Sequence, residues 1–180
     1  MVLRKPRKKE LKKIVGALKY YNSLSFLEDK VLLVREGKKK EVFAMSKYLY
    51  DFLLRNNFLN SNYYYLAGIK IGEVGRRFRF SLEGSYWLVK NDKKKVWVNE
   101  KGEMLFLYGR DIFASSIEKA GEFEENEIIF VCNSDGDVIG IGKSRVPSRR
   151  IFDLEGDRVA VENLMDRGEY IRHLKLYDCF

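Results

Sequence analysis

The sequence predicts an α+β protein in two parts. An N-terminal antiparallel sheet with helices comes first, and a C-terminal small barrel or sandwich of mostly β structure follows. Helical and strand patterns alternate in the first part, whereas short strands with turn signals about every ten residues fill the second. Between them, residues 91–95 are highly charged and lack apolar periodicity. We therefore predict an N-terminal domain over residues 1–93 and a C-terminal domain over residues 94–180.

The composition favours a folded, basic protein. Of 180 residues, 46% are hydrophobic, which is enough for a packed core. The net charge of +8 favours a polyanionic partner, either nucleic acid or an anionic membrane surface. The aromatic share of 14% favours RNA between these two, because exposed rings can stack on unpaired bases.

The cysteines and the hydropathy pattern bear on where the protein is found. Cys132 and Cys179 lack metal-like spacing, so neither a disulfide framework nor a zinc site is predicted. This indicates a reducing, intracellular environment. No apolar run reaches the roughly 18 residues that a membrane span requires. We expect a soluble protein that is not exported.

The N-terminal part is predicted to contain three helices and four strands. Apolar residues recur at helical spacing after Pro6 and again after Ser46, which is a candidate N-cap. Apolar runs bounded by turn residues indicate the strands, and the first two are expected to pair as a hairpin. In chain order we expect a helix over Arg7–Tyr20, strands over Val31–Val34 and Glu41–Ala44, a helix over 47–57, strands over Tyr63–Ile71 and Arg77–Leu82, and a short helix over Ser85–Val89.

Two basic features of this part have open interpretations. Lysines and arginines crowd the first helix, where they either contact phosphates or form a solvated helix face. Arg77 and Arg79 alternate with Phe78 and Phe80, which places both arginines on the exposed face of a strand. They are either phosphate ligands or ordinary solubilising residues.

The C-terminal part is predicted to be mostly short strands. Trp97 lies between two apolar valines in the first of them, and a short amphipathic helix follows and stops at Gly109. The acidic segment Glu122–Glu127 is expected to be a solvated loop. In chain order we expect a strand over Lys95–Val98, a helix over Glu103–Tyr108, a short strand over Arg110–Phe113, a turn over Ala114–Ser116, and strands from Ile117, over Ile128–Cys132, Val138–Lys143, Asp157–Val161 and Tyr170–Leu174.

No pattern in the sequence indicates catalysis. The segment Gly140–Ser144 resembles the end of a P-loop, but the motif requires glycine at position 137, where this chain has Asp137. Pro147 follows at once, and a P-loop must open a helix. His173 is the only histidine, with no orienting constellation around it. We therefore predict no catalytic residue, no metal site, no cofactor and no small-molecule substrate.

A basic loop is the strongest candidate for a binding site. Lys143, Arg145, Arg149 and Arg150 lie within eight residues, and Arg158 follows closely. Pro147 and Ser148 are expected to keep the segment irregular, so that several guanidinium groups face one direction. Arginine binds phosphate bidentately and stacks on bases. Charge alone does not distinguish this from a solvated loop.

The motifs of the second part resemble a PUA domain, a small RNA-binding pseudo-barrel. Three of them, Val96–Val98, Phe106–Gly109 and Gly168–His173, are similar to the Nip-seven family, whose members assist large ribosomal subunit assembly. Such proteins carry an N-terminal α/β, or pre-PUA, domain before a C-terminal PUA pseudo-barrel. One departure is Ala114–Ser116, where many PUA domains have a turn glycine that tolerates a positive φ.

This resemblance implies a non-catalytic RNA-binding factor of ribosome biogenesis. It would act in precursor rRNA processing and large-subunit assembly, and bind single-stranded uridine-rich or AU-rich RNA. Ribosome assembly proteins and exosome components are the implied protein partners, without a membrane. The implied location is cytoplasmic in a prokaryote and nucleolar in a eukaryote. The implied RNA-binding face adds Tyr108, Arg110 and Arg172 to the cations of the basic loop.

Two alternatives stay open at this point. One is a PUA-containing RNA-modification enzyme, or an accessory subunit of one, that acts on tRNA or rRNA. The N-terminal part is short for such a catalytic domain and has no glycine-rich cofactor loop after a strand. The other is a protein-interaction module that binds no RNA, and a steep salt dependence of RNA binding would argue against it.

Overall fold

A computed structural model describes residues 3–58, 68–89 and 92–172. The chain divides into two compact units, Met1–Lys90 and Asn91–Phe180. In the described residues, no helix is long and apolar enough to cross a membrane.

Unit 1 is built on a five-stranded sheet whose strands follow chain order. Every neighbouring pair is antiparallel. The predicted hairpin is confirmed, since Val34 pairs with Val42. The strands are β1 (Leu3–Arg4), β2 (Lys30–Arg35), β3 (Glu41–Ser46), β4 (Ile69–Val74) and β5 (Phe78–Phe80). Of the strand predicted over Tyr63–Ile71, residues 63–67 lie outside the described residues.

Three helices accompany this sheet: α1 (Lys8–Tyr20), α2 (Lys47–Arg55) and α3 (Leu82–Leu88). The predicted N-cap is confirmed, because the Ser46 Oγ accepts a bond of 3.2 Å from the Leu49 amide. The third helix begins earlier than its apolar pattern predicted, since Ser81 caps it. The apolar stripe of α1 buries Ile14 and Leu18 completely.

A buried carboxylate joins the start of α1 to the sheet. Glu10 is 7% exposed, and its oxygens accept bonds of 2.8 and 2.9 Å from Arg4 of β1. The Arg7 amide and the Lys40 ammonium donate to the same carboxylate at 2.8 and 3.0 Å. The Arg4 guanidinium, above all, holds the pKa of the Glu10 carboxyl far below its usual range, although burial opposes this.

Glu10→Gln is expected to lower the free energy of unfolding at pH 7 by about 1.5–3 kcal/mol, because it removes the charge that these donors bind. The pKa of Glu10 is depressed in the folded state, so its stabilisation is complete above the unfolded pKa of about 4.3. It is lost as pH falls further. Urea unfolding at several pH values should show variant and wild type converging below about pH 4. An equal difference at pH 7 and pH 3 would contradict this assignment.

Unit 2 is a six-stranded sheet that curves into a nearly closed barrel. Its strand order is β7-β11-β10-β9-β6-β8, and only the β6–β9 pair is parallel. The strands are β6 (Lys95–Val98), β7 (Ile112–Phe113), β8 (Ile117–Ala120), β9 (Ile128–Cys132), β10 (Val138–Ser144) and β11 (Val159–Asp166). Helix α4 (Glu100–Leu107) buries Phe106 in the core of this barrel.

The segment that resembled a P-loop belongs to one of the central strands of this sheet. Gly140 to Ser144 belong to β10, as the strand prediction had it. A Cβ at Gly140 would lie 2.4 Å from the Met165 carbonyl oxygen and 2.6 Å from the Phe106 ring. Glycine is therefore required here because strand and helix approach closely, and not because a phosphate is cradled.

Two predictions for unit 2 are wrong. The strand expected over Tyr170–Leu174 is, in its described part, the single-turn helix α5 (Glu169–Arg172). The preceding strand β11 instead runs to Asp166, well beyond its predicted end, and completes the sheet. The basic loop is also partly regular, since Ser148–Asp153 forms a 3-10 helix.

Cys132 and the turn at Ala114–Ser116 both have structural explanations in unit 2. Cys132 is fully buried in β9, and burial raises the pKa of its thiol to about 11. The turn at Ala114–Ser116 is 3-10, so it does not need the positive φ that glycine tolerates. Among the described residues, no group of three or more His, Cys, Asp or Glu is placed to hold a metal ion. His173 and Cys179 lie outside the described residues.

Candidate nucleic-acid interface

The end of α4 presents a tight turn at the surface of unit 2. Gly109 has a φ of +81°, and the Gly109 and Arg110 amides bond back to the carbonyls of Phe106 and Leu105. These two bonds form a Schellman motif, which satisfies the last carbonyls of the helix. As a result Tyr108, 69% exposed, and Arg110 stand on a fixed turn.

A buried carboxylate holds this turn from behind. Asp166, at the end of β11, is 2% exposed and receives both Arg172 nitrogens at 3.0 and 2.9 Å. The same guanidinium bonds to the Leu107 carbonyl at the end of α4. The pair raises the pKa of the Arg172 guanidinium, and its positive charge lies where the helix dipole favours a cation.

Asn163 completes this arrangement, which we call the Asp166 clasp and define as Asp166, Arg172 and Asn163. Its Nδ2 donates to the Phe106 carbonyl at 2.9 Å, the Arg110 carbonyl at 3.3 Å and the Asp166 carboxylate at 3.2 Å. Its backbone amide donates to the Asp111 carboxylate at 2.8 Å. The guanidinium of Arg172, which was predicted as an RNA ligand, is thus already hydrogen-bonded to Asp166 and to the Leu107 carbonyl.

An open pocket lies beside the clasped turn. Its volume is about 510 Å³, and it is lined by Leu105, Gly109, Arg110, Asp111, Phe113 and Val159. Ile112 is 2% exposed and faces the core, whereas the adjacent Phe113 is 38% exposed, as the alternation of a strand requires. Arg110 is exposed and forms no ion pair within the part of the chain that the structure describes. An aromatic ring, a free guanidinium and a concave apolar wall suit an unstacked nucleobase.

The cations of the basic loop form a second group, and carboxylates accompany most of them. Arg145 pairs with Glu162 at 2.9 Å, Arg149 with Glu124 at 2.7 Å, and Arg158 approaches Glu155 at 3.6 Å. The Arg149 and Arg158 pairs are solvent-exposed and the Arg145 pair is partly so, and each therefore contributes little to stability and yields readily to a phosphate.

Two predicted cations of this group stand apart from those pairs. Arg150 is exposed in the 3-10 helix and has no ion-pair partner among residues 3–58, 68–89 and 92–172. Lys143 lies half-buried on β10 opposite Glu162 of β11, on the face that Arg145 shares. The structure therefore places Lys143 and Arg145 together on the outside of the sheet, while Arg149 and Arg150 follow on the 3-10 helix.

Sequence reasoning singled out Arg110 of the pocket and Arg172 of the clasp, but it missed the other members of both. Phe113 ends the short strand predicted over Arg110–Phe113 but was not singled out as a binding residue, although the buried Ile112 beside it makes an outward ring predictable. Asp166 and Asn163 gave no signal, because their partners are distant in the chain and no local pattern connects them.

Comparison with known proteins assigns both units. Residues 94–175 match the model for the UPF0113 PUA domain, and residues 3–82 match the NIP7/UPF0113 pre-PUA domain. The chain belongs to the NIP7/UPF0113 family. Its PUA domain contains the Asp166 clasp, the pocket and the basic loop, and its pre-PUA domain contains the cationic start of α1.

Individual relatives agree with this assignment. A UPF0113 protein of Archaeoglobus fulgidus is 59% identical over the full length of both chains. The 60S ribosome subunit biogenesis protein NIP7 of Saccharomyces cerevisiae is 26% identical over 108 residues, which is 58% of this chain and 60% of that protein. A conserved PUA domain protein from Thermoplasma acidophilum has the same fold, with a TM-score of 0.66 at 19% identity, over 94% of this chain and 97% of that one.

Asp166→Ala is expected to lower the free energy of unfolding by about 1.5–3 kcal/mol, because it strips hydrogen bonds to a charged group from a buried position. It should also speed hydrogen exchange at the Gly109 and Arg110 amides, since the turn loses its support. Asp153→Ala is the matched control, because Asp153 is exposed and forms no ion pair among the described residues. Equal effects of the two substitutions would argue against the clasp.

Proposed function

We propose that this protein is a non-catalytic RNA-binding factor of ribosome assembly, and that its PUA domain binds single-stranded uridine-rich or AU-rich RNA. The observation that carries this is the pocket beside α4, which is lined by the Phe113 ring of β7 and by Arg110 on the clasped turn, with no ion pair to Arg110 among the described residues. In this proposal a base stacks on Phe113, and Arg110 binds its edge or the adjacent phosphate.

The basic loop supplies affinity in this proposal, and the pocket supplies selectivity. Phosphate contacts position a nucleic acid without reading its sequence, whereas base contacts specify it. Arg150, which has no ion pair among the described residues, binds a phosphate directly. Arg149 exchanges its ion pair with Glu124 for one with a phosphate. Preferences for pyrimidine runs arise from weak self-stacking and backbone flexibility, which leave the bases accessible.

The assignment to ribosome assembly rests on family membership and on the names of relatives such as the Saccharomyces cerevisiae protein. Precursor rRNA is accordingly the proposed RNA, and assembly proteins and exosome components are the proposed protein partners. The RNA-modification alternative gains no support from the site, because its described acidic groups take part in hydrogen bonds within the fold, as Asp166 and Asp111 do.

Filter binding across a salt series tests RNA binding and the basic loop together. The wild type should bind a uridine-rich single strand of about 10 nucleotides, and single-stranded DNA and duplex RNA should compete poorly. Arg149→Ala with Arg150→Ala should reduce the log–log salt slope by about 1.4 without unfolding the chain, since two phosphate contacts are lost. Glu124→Gln is the matched control and should keep or raise affinity, because it frees Arg149. No binding by the wild type at low salt would overturn the proposal.

Phe113→Ala tests the pocket separately from the charges. Loss of a stacking ring is expected to weaken binding of the same RNA by about 1–3 kcal/mol, with little change in the salt slope. Phe152→Ala removes a ring that is more exposed, at 63%, but lies outside the pocket, so it should leave affinity unchanged. A larger loss with Phe152→Ala than with Phe113→Ala would move the base-binding site to the basic loop.

A further inference from the structure

Unit 1 contains a strongly cationic cleft that the PUA-based function does not use. Its volume is about 700 Å³, and it lies between the start of α1, the tip of the β2–β3 hairpin and the turn from β4 to β5. It is lined by Arg7, Lys8, Lys9, Glu10, Lys13, Lys38, Lys39, Lys40, Glu73, Val74, Gly75 and Arg79. Eight of these twelve residues are cations and two are carboxylates.

The carboxylates do not neutralise this cleft. Glu10 is already held by Arg4 from β1 and by Lys40, and Glu73 by Lys70 and Lys39. These pairs account for two of the eight cations. Four others, Lys8, Lys9, Lys38 and Arg79, have no carboxylate partner in the described part of the chain. Cations from three separate elements therefore converge around one concavity, which is unfavourable unless a polyanion or counterions occupy it.

The cleft differs in chemistry from the pocket of the PUA domain. Among its described lining residues none is aromatic, so it offers no ring on which a base can stack. Six of its eight cations are lysines, which act as mobile point charges and do not read base edges as a planar arginine fork does. Such a surface fits a regular array of phosphates and is indifferent to base identity.

The fold holds this cationic surface in place. Glu10 fixes the first turn of α1 to β1 and to Lys40 at the hairpin tip. Lys13 of α1 donates to the Gly75 carbonyl in the β4–β5 turn. Hydrogen bonds thus join α1 to the hairpin tip and to the β4–β5 turn, so binding a polyanion requires little rearrangement of the cleft.

We infer that this cleft binds the sugar–phosphate backbone of double-stranded RNA. Duplex RNA is recognised through phosphate and sugar contacts and shape, whereas single strands are recognised through unstacked bases, for which the cleft has no ring. The inference rests on the proposed function, which makes RNA the polyanion that this protein meets. The full chain accordingly contacts RNA twice, with a selective PUA site for a single strand and a sequence-independent cleft for a duplex.

The test uses two triple variants of the full chain, each of which removes three positive charges from unit 1 at different positions. Lys9→Gln, Lys38→Gln and Arg79→Gln remove from the cleft three cations that have no carboxylate partner among the described residues. Lys12→Gln, Lys19→Gln and Arg55→Gln remove two exposed lysines and one exposed arginine outside the cleft. Circular dichroism and thermal unfolding check that both variants fold. The probes are an RNA duplex without overhangs, a uridine-rich single strand and polyglutamate.

The cleft variant should reduce the log–log salt slope for the duplex by about 2–3, and the control variant by less than about 0.5. Both variants should bind the uridine-rich strand as the wild type does. Equal salt slopes for the duplex in the two variants would overturn the inference. It would also be overturned if polyglutamate bound with a salt slope as steep as that of the duplex and the cleft variant reduced that slope, because the cleft would then bind an acidic protein. Phe113→Ala separates the two proposals, because it should leave duplex binding unchanged. If Phe113→Ala reduced the salt slope for the duplex and the cleft variant did not, the cleft inference would be refuted and the proposed PUA site would stand.

Discussion

The candidate interface depends on one buried carboxylate. Asp166 lies at the end of the last strand of the barrel, and the bidentate pair with Arg172 returns the chain to the carbonyl end of α4. An ionised group at 2% exposure is unfavourable unless donors surround it, and here Arg172 and Asn163 supply them. The geometry of the turn, and with it the direction of Arg110, follows from satisfying that charge.

The same principle operates in unit 1 with a different result. Glu10 gathers Arg4, Lys40 and the Arg7 amide around a single carboxylate, and this assembles the cationic rim of the cleft. One negative charge at the base allows many positive charges to converge above it, because it offsets part of their repulsion. In each unit a buried acid thus holds cationic side chains in place next to an exposed surface.

The parts of the fold that the sequence predicted are those governed by local rules. The apolar stripe of α1, the Ser46 cap and the Val34–Val42 hairpin each follow from residues close in the chain. The short helix over Glu169–Arg172 was predicted as a strand because its local pattern is weak and the distant Asp166 clasp decides its conformation. The 3-10 helix after Pro147 was missed for a related reason, since Ile151 anchors it in the core of the barrel.

In the proposed RNA binding, cations that pair with carboxylates and cations that do not contribute differently to affinity and to selectivity. Arg145, Arg149 and Arg158 have carboxylate neighbours, and under the proposed function a phosphate must first displace a carboxylate, so the loop does not bind every polyanion tightly. Arg110 has no such carboxylate partner among the described residues, and it lines the concave pocket beside α4. Under the proposed function, discrimination against unwanted polyanions comes from competing acids on the loop and from the pocket at the turn. In the cleft of unit 1, Lys9, Lys38 and Arg79 have no carboxylate partner among the described residues, which agrees with the inferred binding of phosphates without regard to sequence.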